Sequence, residues 1–389
     1  MNPFEERLEG ELEALDRRAL RRRLVARGLS AFPVIEVGGR RLVNFAANDY
    51  LGLAGHPRIA AALAAGAERW GVGAGAAHLL GGHTRAHAAF EEALADFLGR
   101  ESALLFSTGY MANLGLIGAL ARRGDTVVAD RLVHASLIDA AILSRAHLLR
   151  YAHADAEAVR TQVRAAYGRV LIATDGVFSM DGDLAPLVEL AALARDTNAT
   201  LIVDDAHGFG VLGATGRGSI ERLQLDVEEV PALVVTFGKA LGVFGAAVAG
   251  SRALIETLVN RARSYIYTTA LPAALAEALV VALAVLREEG WRREHVASLV
   301  ARFRAAAAAA GLPLMESFTP IQPLAVGDAA RALVVAQALN TRGYYVPAIR
   351  PPTVPEGAAR LRVSLSAAHD EAQVDGLVVA LTEALAAHD

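Results

Sequence analysis

Five short apolar runs separated by helix-length segments constrain this chain more than any other feature of its sequence. They are ALLF (103–106), TVVA (126–129), VLIAT (170–174), LIVDD (201–205) and LVVTF (233–237). Uninterrupted apolar runs rich in β-branched residues suit strands buried on both faces, which requires a parallel sheet covered by helices on each side. Helical spacing fills the gaps, as in Met111, Leu114, Ile117 and Leu120, or Leu187, Leu190 and Leu193. The expectation is an α/β architecture with a mostly parallel central sheet. Beyond Leu286 the pattern changes to ARFRAAAAAAGL as helix, PIQPLAV as strand, ALVVAQALNTRG as helix, RLRVSLS as strand and a last helix from Asp370. That order predicts a smaller α+β domain, with boundaries at 1–45 for an N-terminal extension, 46–285 for the large domain and 286–389 for the small one.

A chain of 389 residues exceeds what one hydrophobic core usually serves, which agrees with two domains. The net charge of -4 gives no global reason to bind nucleic acid or an anionic membrane. Locally, Arg17, Arg18, Arg21, Arg22 and Arg23 form a basic run, but Glu5, Glu6, Glu9, Glu11 and Glu13 precede it. Those blocks suit opposite ends of one helix dipole, so residues 4–24 are expected as a helix with Leu8, Leu12, Leu15 and Leu24 on its apolar stripe. The absence of cysteine excludes disulfides, thiolate catalysis and zinc-thiolate sites. The longest apolar stretch, Ala270 to Leu286, contains Pro272 and Glu277 and reads as a buried helix. With no secretory or transit pattern, the expectation is a cytoplasmic protein.

Ligands of an open parallel sheet bind beyond the carboxyl ends of its strands, so the polar residues after each run are the first candidates. Ser107-Thr108-Gly109-Tyr110 follows ALLF and opens a helix; this is either an ordinary cap or a phosphate site at a helix start. Asp204-Asp205-Ala206-His207-Gly208 ends another strand, and Asp204 either caps a turn or faces a cationic ring nitrogen. Gly238-Lys239 follows LVVTF, placing an amine among Ala, Leu, Gly, Val and Phe, a setting that disfavours the ammonium and makes the amine nucleophilic. The histidines 78, 83 and 87 tempt a metal assignment, but no carboxylate or cysteine completes a set, and caps or surface histidines are the expectation.

Phosphate loop, strand-end acid and strand-end lysine, in that order, resemble the layout of the type I pyridoxal-phosphate (PLP) enzymes. FSTGYMAN, DRLVHASL, DGVFSMDGD, VDDAHGFG and TFGKALG, with NFAANDYLGL and RLRVSLSAAH at the two ends, make the chain similar to the α-oxoamine synthases over nearly its whole length. The resemblance implies that fold, a PLP cofactor, and a homodimer with a shared active site. It implies that Lys239 carries PLP as a Schiff base and then acts as base, with Asp204 at the pyridinium nitrogen. His134 would stack on the ring, while His207 and Ser179 would bond the phenolic oxygen or the amino acid. Gly109, Tyr110 and Thr236 would hold the phosphate, joined by Thr268 and Thr269 of the neighbouring subunit. Arg362 and Asn48 would take the α-carboxylate, and Arg21, or a neighbour in its run, would meet the acyl group with Thr353.

Within that family IRPPTVP (349–355), the ALRRR run and IQPL (321–324) are similar to the branch that condenses L-alanine with pimeloyl-CoA or pimeloyl-ACP. Sister branches join glycine to short acyl-CoAs, and some regulators reuse the fold without catalysis but carry an added DNA-binding domain. The chain departs from the family's usual forms at Ala76-Ala77-His78, at Phe209 and at Leu271-Pro272-Ala273.

Overall fold

The computed structural model describes residues 2–28 and 33–388. The chain forms two compact units. One comprises the residues through Gly52, Met180–Asp183 and those from Glu294 onward; the other comprises Leu53–Ser179 and Leu184–Arg293. The strands, numbered along the chain, are β1 (Val34–Val37), β2 (Arg40–Asn44), β3 (Ser102–Phe106), β4 (Thr126–Asp130), β5 (His147–Tyr151), β6 (Val170–Asp175), β7 (Thr200–Asp204), β8 (Ala232–Thr236), β9 (Ala246–Gly250), β10 (Ile321–Gly327), β11 (Tyr344–Tyr345), β12 (Ala348–Ile349) and β13 (Ala359–Ser364).

The larger unit is built on a seven-stranded sheet in the order β3-β9-β8-β7-β6-β4-β5. Strands β4 to β8 pair in parallel, while β9 runs antiparallel to both β3 and β8. The five apolar runs all lie on strands of this sheet. Two further strands lacked a clear signal. β9 is AAVAG, whose small side chains have little strand preference, and β5 is HLLRY, an edge strand of mixed polarity. From β4 the chain crosses outward to β5 and then returns to the far side of β4 as β6. Loops leaving β4 and β6 therefore part company, the arrangement that opens a ligand crevice in parallel sheets.

The smaller unit carries two three-stranded sheets, β1-β2-β11 and β10-β13-β12. Its core joins Phe45, Leu299, Phe303, Leu324, Leu361 and Leu377. At its N-terminus the structure corrects the expected helix over 4–24, which stops at Arg17. Ala19 turns to φ 55°, and Leu20 N donates back to Leu15 O at 2.8 Å, a left-handed stop that satisfies the last carbonyls. None of the residues of this helix is buried, and Leu24 beyond it is fully exposed. Among the described residues no helix is long and apolar enough to cross a membrane.

His369 ties the two ends of the smaller unit together. It is 2% exposed and stacks on Phe45 at 4.1 Å between ring centroids. Ser366 N donates to Nδ1 at 3.1 Å, and Nε2 donates to Asn44 O at 3.0 Å, so both ring nitrogens are satisfied in the neutral Nε2–H form. Burial pushes this imidazole down to about 4, against the upward pull of the Asn44 carbonyl. Between the ordinary value of about 6.5 and that level the unfolded chain binds a proton that the folded chain refuses, so stability falls as pH drops through the window. We expect urea stability to decline by up to roughly 3 kcal/mol from pH 7 to pH 4 through this residue. His369→Gln should be less stable at pH 7 and show a shallower pH dependence; an unchanged slope would contradict the assignment.

Candidate cofactor and substrate site

Asp204 ends β7 and is buried. Its Oδ1 accepts from Ala206 N at 3.1 Å and its Oδ2 from Asn113 Nδ2 at 2.6 Å. Asn113 is fully buried on the helix Gly109–Leu120, and the same amide nitrogen donates to Ser136 Oγ at 2.8 Å. That hydroxyl lies 2.7 Å from His134 Nδ1, which also accepts from Ser136 N at 3.3 Å. Since Asn113 supplies a hydrogen to Ser136 Oγ, the hydroxyl passes its own to Nδ1, and neutral His134 carries its hydrogen on Nε2. Burial holds this imidazole below its ordinary value. The Asp204 charge draws it upward and the Lys239 charge pushes it down.

Lys239 lies three residues past the end of β8, half-buried. Its turn is closed by Gly242 N donating to Lys239 O at 3.0 Å and Val243 N to Phe237 O at 2.8 Å. The lysine charge is felt by His134, Asp175 and Asp205, so it sits in the electrostatic neighbourhood of the β6 and β7 ends. Thr236, the last residue of β8, faces the start of the helix Gly109–Leu120. A Cβ on Gly109 would come within 2.7 Å of Thr236 Cγ2. Thr108 caps the helix by accepting from Met111 N at 3.1 Å, and its Gly109 and Tyr110 amides belong to the first turn, whose N–H groups lack helical partners. Tyr110 spends its hydroxyl on Asp139, so its backbone rather than its phenol is available to an anion.

These residues fit PLP by their chemistry. A glycine-cleared helix start suits a phosphate, a buried carboxylate suits a protonated ring nitrogen, and an amine on a tight turn suits an aldehyde. Asn113 Oδ1 remains buried with no protein partner, which leaves this layer a spare acceptor. His207 is buried three residues beyond Asp204, and Ser179 is half-buried four residues beyond Asp175. Thr268 and Thr269 follow the short helix Arg263–Ile266, with Thr269 exposed.

In the smaller unit, Arg362 on β13 is 4% exposed and grips Asn48 Oδ1 with both terminal nitrogens at 3.1 Å. Its Nη1 also donates to Ser364 Oγ at 2.8 Å. Arg21 pairs with Asp16 at 2.7 Å, whereas Arg22 donates to Thr353 Oγ1 at 2.9 Å. Of the basic run, then, Arg22 is the residue joined to Thr353.

Sequence reasoning singled out neither Asn113, Ser136, Asp175 nor Asp205, although each lies inside a segment that carried the resemblance. Of the histidine trio, His87 is the expected helix cap, whereas His78 is buried rather than on the surface. His87 Nδ1 accepts from Thr84 N at 3.1 Å in a capping box, and its Nε2 donates to Leu271 O at 2.7 Å. His78 stacks on Tyr265 at 4.6 Å. Phe209 is fully buried edge-on to Phe97 and Phe237, so that departure from the family pattern is a matter of core packing.

Residues 40–381 match the family model described as aminotransferase class I and II. The chain is 58% identical over 351 residues to an 8-amino-7-oxononanoate synthase of Pseudomonas paraeruginosa, covering 90% of this chain and 88% of the relative. To one of Thioalkalivibrio sulfidiphilus it is 57% identical over 381 residues, 97% of each chain. A serine palmitoyltransferase from S. paucimobilis, solved with a bound PLP–myriocin aldimine, superposes with a TM-score of 0.94 at 29% identity, covering 100% of this chain and 99% of that one.

The hydrogen-bond relay makes a prediction independent of any ligand. Asn113→Ala removes the side-chain donor of a buried carboxylate and should cost about 1–3 kcal/mol in urea unfolding. Because Ser136 shares that donor, Ser136→Ala combined with it should cost less than the two single losses together. Additive losses would show that the relay is not one network.

Proposed function

The chain belongs to the aminotransferase class I and II family, and from that premise we propose that it catalyses the reaction of the 8-amino-7-oxononanoate synthases. L-Alanine and a pimeloyl thioester, carried by coenzyme A or by acyl carrier protein, condense with loss of carbon dioxide to give 8-amino-7-oxononanoate and a free thiol, in biotin biosynthesis. The cofactor is PLP, which when bound supplies an electron sink for charge developing at the amino-acid α-carbon.

Lys239 would hold the cofactor through its amine and would serve as the base for the proton on the α-carbon. Asp204 keeps its carboxylate at the ring nitrogen, steadied by the Asn113 N–H bond. His134 covers the ring face as a neutral imidazole, adding no positive charge that would compete with the lysine for Asp204. His207 and Ser179 bond the phenolic oxygen or the amino acid. Gly109, Tyr110 and Thr236 receive the phosphate, and Thr268 and Thr269 serve the phosphate of a neighbouring subunit in a homodimer. Arg362, oriented by Asn48, takes the α-carboxylate with its guanidinium. Thr353, with Arg21 or its neighbour Arg22, meets the acyl chain.

The observation that carries this reading is near-full-length identity to curated synthases in a chain that keeps both the strand-end acid and the strand-end lysine. The test is product identification by mass spectrometry with alanine and pimeloyl thioester. We expect 8-amino-7-oxononanoate from the wild type and a loss of about a thousandfold or more in Lys239→Ala. Higher kcat/KM with glycine and a short acyl-CoA would overturn the choice of substrates.

A further inference from the structure

Asp175 ends β6, is 3% exposed, and has no role in the chemistry assigned above. Its Cα partner across the parallel pair is Asp204 at the end of β7. Two buried carboxyl groups therefore finish adjacent strands at the same level. On the other side of β6, Asp130 ends β4, and it is well supplied: Leu132 N at 2.7 Å, Ala154 N at 2.8 Å and His153 Nδ1 at 3.1 Å all donate to it. Asp204 has Ala206 N and Asn113. To Asp175 the His134 amide donates, at 3.1 Å to Oδ2 and 3.3 Å to Oδ1.

That one amide is informative. His134 is the N-cap of the helix Ala135–Ser144, with its backbone at φ -54° and ψ 140°. Its ring is held at Nδ1 by Ser136, and its main chain is held by Asp175. A ring plane is fixed when both a ring atom and the main chain that carries the ring are held; Ser136 supplies the first and Asp175 the second. We propose that Asp175 is a positioning residue of this site: through the His134 amide it sets the His134 ring.

Electrostatics agree with the geometry. Burial first, and the Asp204 charge second, push the Asp175 carboxyl well above the ordinary carboxylate range, while the His134 amide and Lys239 pull the other way. Two like charges side by side in a low-dielectric layer resist joint ionisation. A neutral Asp175 still offers its carbonyl oxygen to the amide.

This inference rests on PLP binding at Lys239, and the test separates the two. Apoenzyme of the wild type, Asp175→Asn and Asp175→Ala is titrated with PLP, recording affinity, the pH midpoint of the visible absorbance band and the visible circular dichroism of the bound cofactor. Asparagine presents a neutral acceptor of the same reach, so Asp175→Asn should stay within about threefold of wild-type affinity with an unmoved midpoint. Asp175→Ala should bind PLP roughly tenfold or more weakly, with diminished visible dichroism because the His134 ring is no longer set. If the alanine variant is not recovered folded, Asp175→Ser, which is too short to reach the amide, takes its place. A midpoint displaced in Asp175→Asn would mean that Asp175 acts as an anion, and wild-type affinity and dichroism in the alanine or serine variant would mean that it positions nothing; either overturns the proposal alone. A wild type that gives no visible band with PLP overturns the cofactor reading and this inference with it.

Discussion

Burying carboxyl groups at the ends of parallel strands is the constraint around which the larger unit is arranged. Asp130, Asp175, Asp204 and Asp205 all lie where β4, β6 and β7 give way to loops, and all are buried. A buried carboxylate without donors costs several kcal/mol, so each loop must deliver an N–H to its acid. Asp205 shows how strictly this shapes the chain. Its Oδ2 accepts from Ser219 N at 2.7 Å, and burial pushes the group up to about 7. Gly176, Gly208 and Gly218 approach so closely that a Cβ on any of them would lie 1.9–2.4 Å from its oxygens. The loop after β6 and, at two points, the loop after β7 are thereby pinned to one side chain, and both begin at the strand ends that present Asp175 and Asp204.

The central sheet was largely legible because five of its strands are double-sided and therefore continuously apolar. β9 was not, since a strand packed between neighbours on both edges is stabilised by its ladder and by close approach of small residues rather than by side-chain preference. The overextended N-terminal helix failed for a different reason. Alternating blocks of Glu and Arg satisfy the dipole argument at any length, but the left-handed turn at Ala19, a residue with no special liking for that region, comes from carbonyls that need donors. Charge pattern is silent on that.

At the site, Asp204 and Lys239 stood out because each is chemically out of place after an apolar run. Asn113 and Ser136 did not, because an amide and a hydroxyl within helices read as ordinary surface or cap residues until the fold brings them to Asp204 and His134. Asp175 was hidden by position: it closes VLIATD just as Asp204 closes LIVD, yet only the register of β6 against β7 reveals that the two acids finish adjacent strands side by side. Arg362 likewise acquires meaning from Asn48, more than 300 positions away in the sequence.

The two halves of the chemistry rest on interactions of unlike strength. Asp204 and His134, assigned to the cofactor, are fixed by buried or part-buried hydrogen bonds, which lose little to solvent. Residues assigned to the acyl group are fixed by exposed ones: Arg22 on Thr353, Arg18 on Glu356, Arg21 and Arg23 on Asp16. Exposed pairs contribute about 0–1 kcal/mol each, so the 18–25 segment is held mainly by its backbone, through the turn at Ala19 and the Arg350 guanidinium donating to Ala19 O. Sequence change around Thr353 therefore costs the fold little, whereas change around Asp204 or Asp205 costs it more.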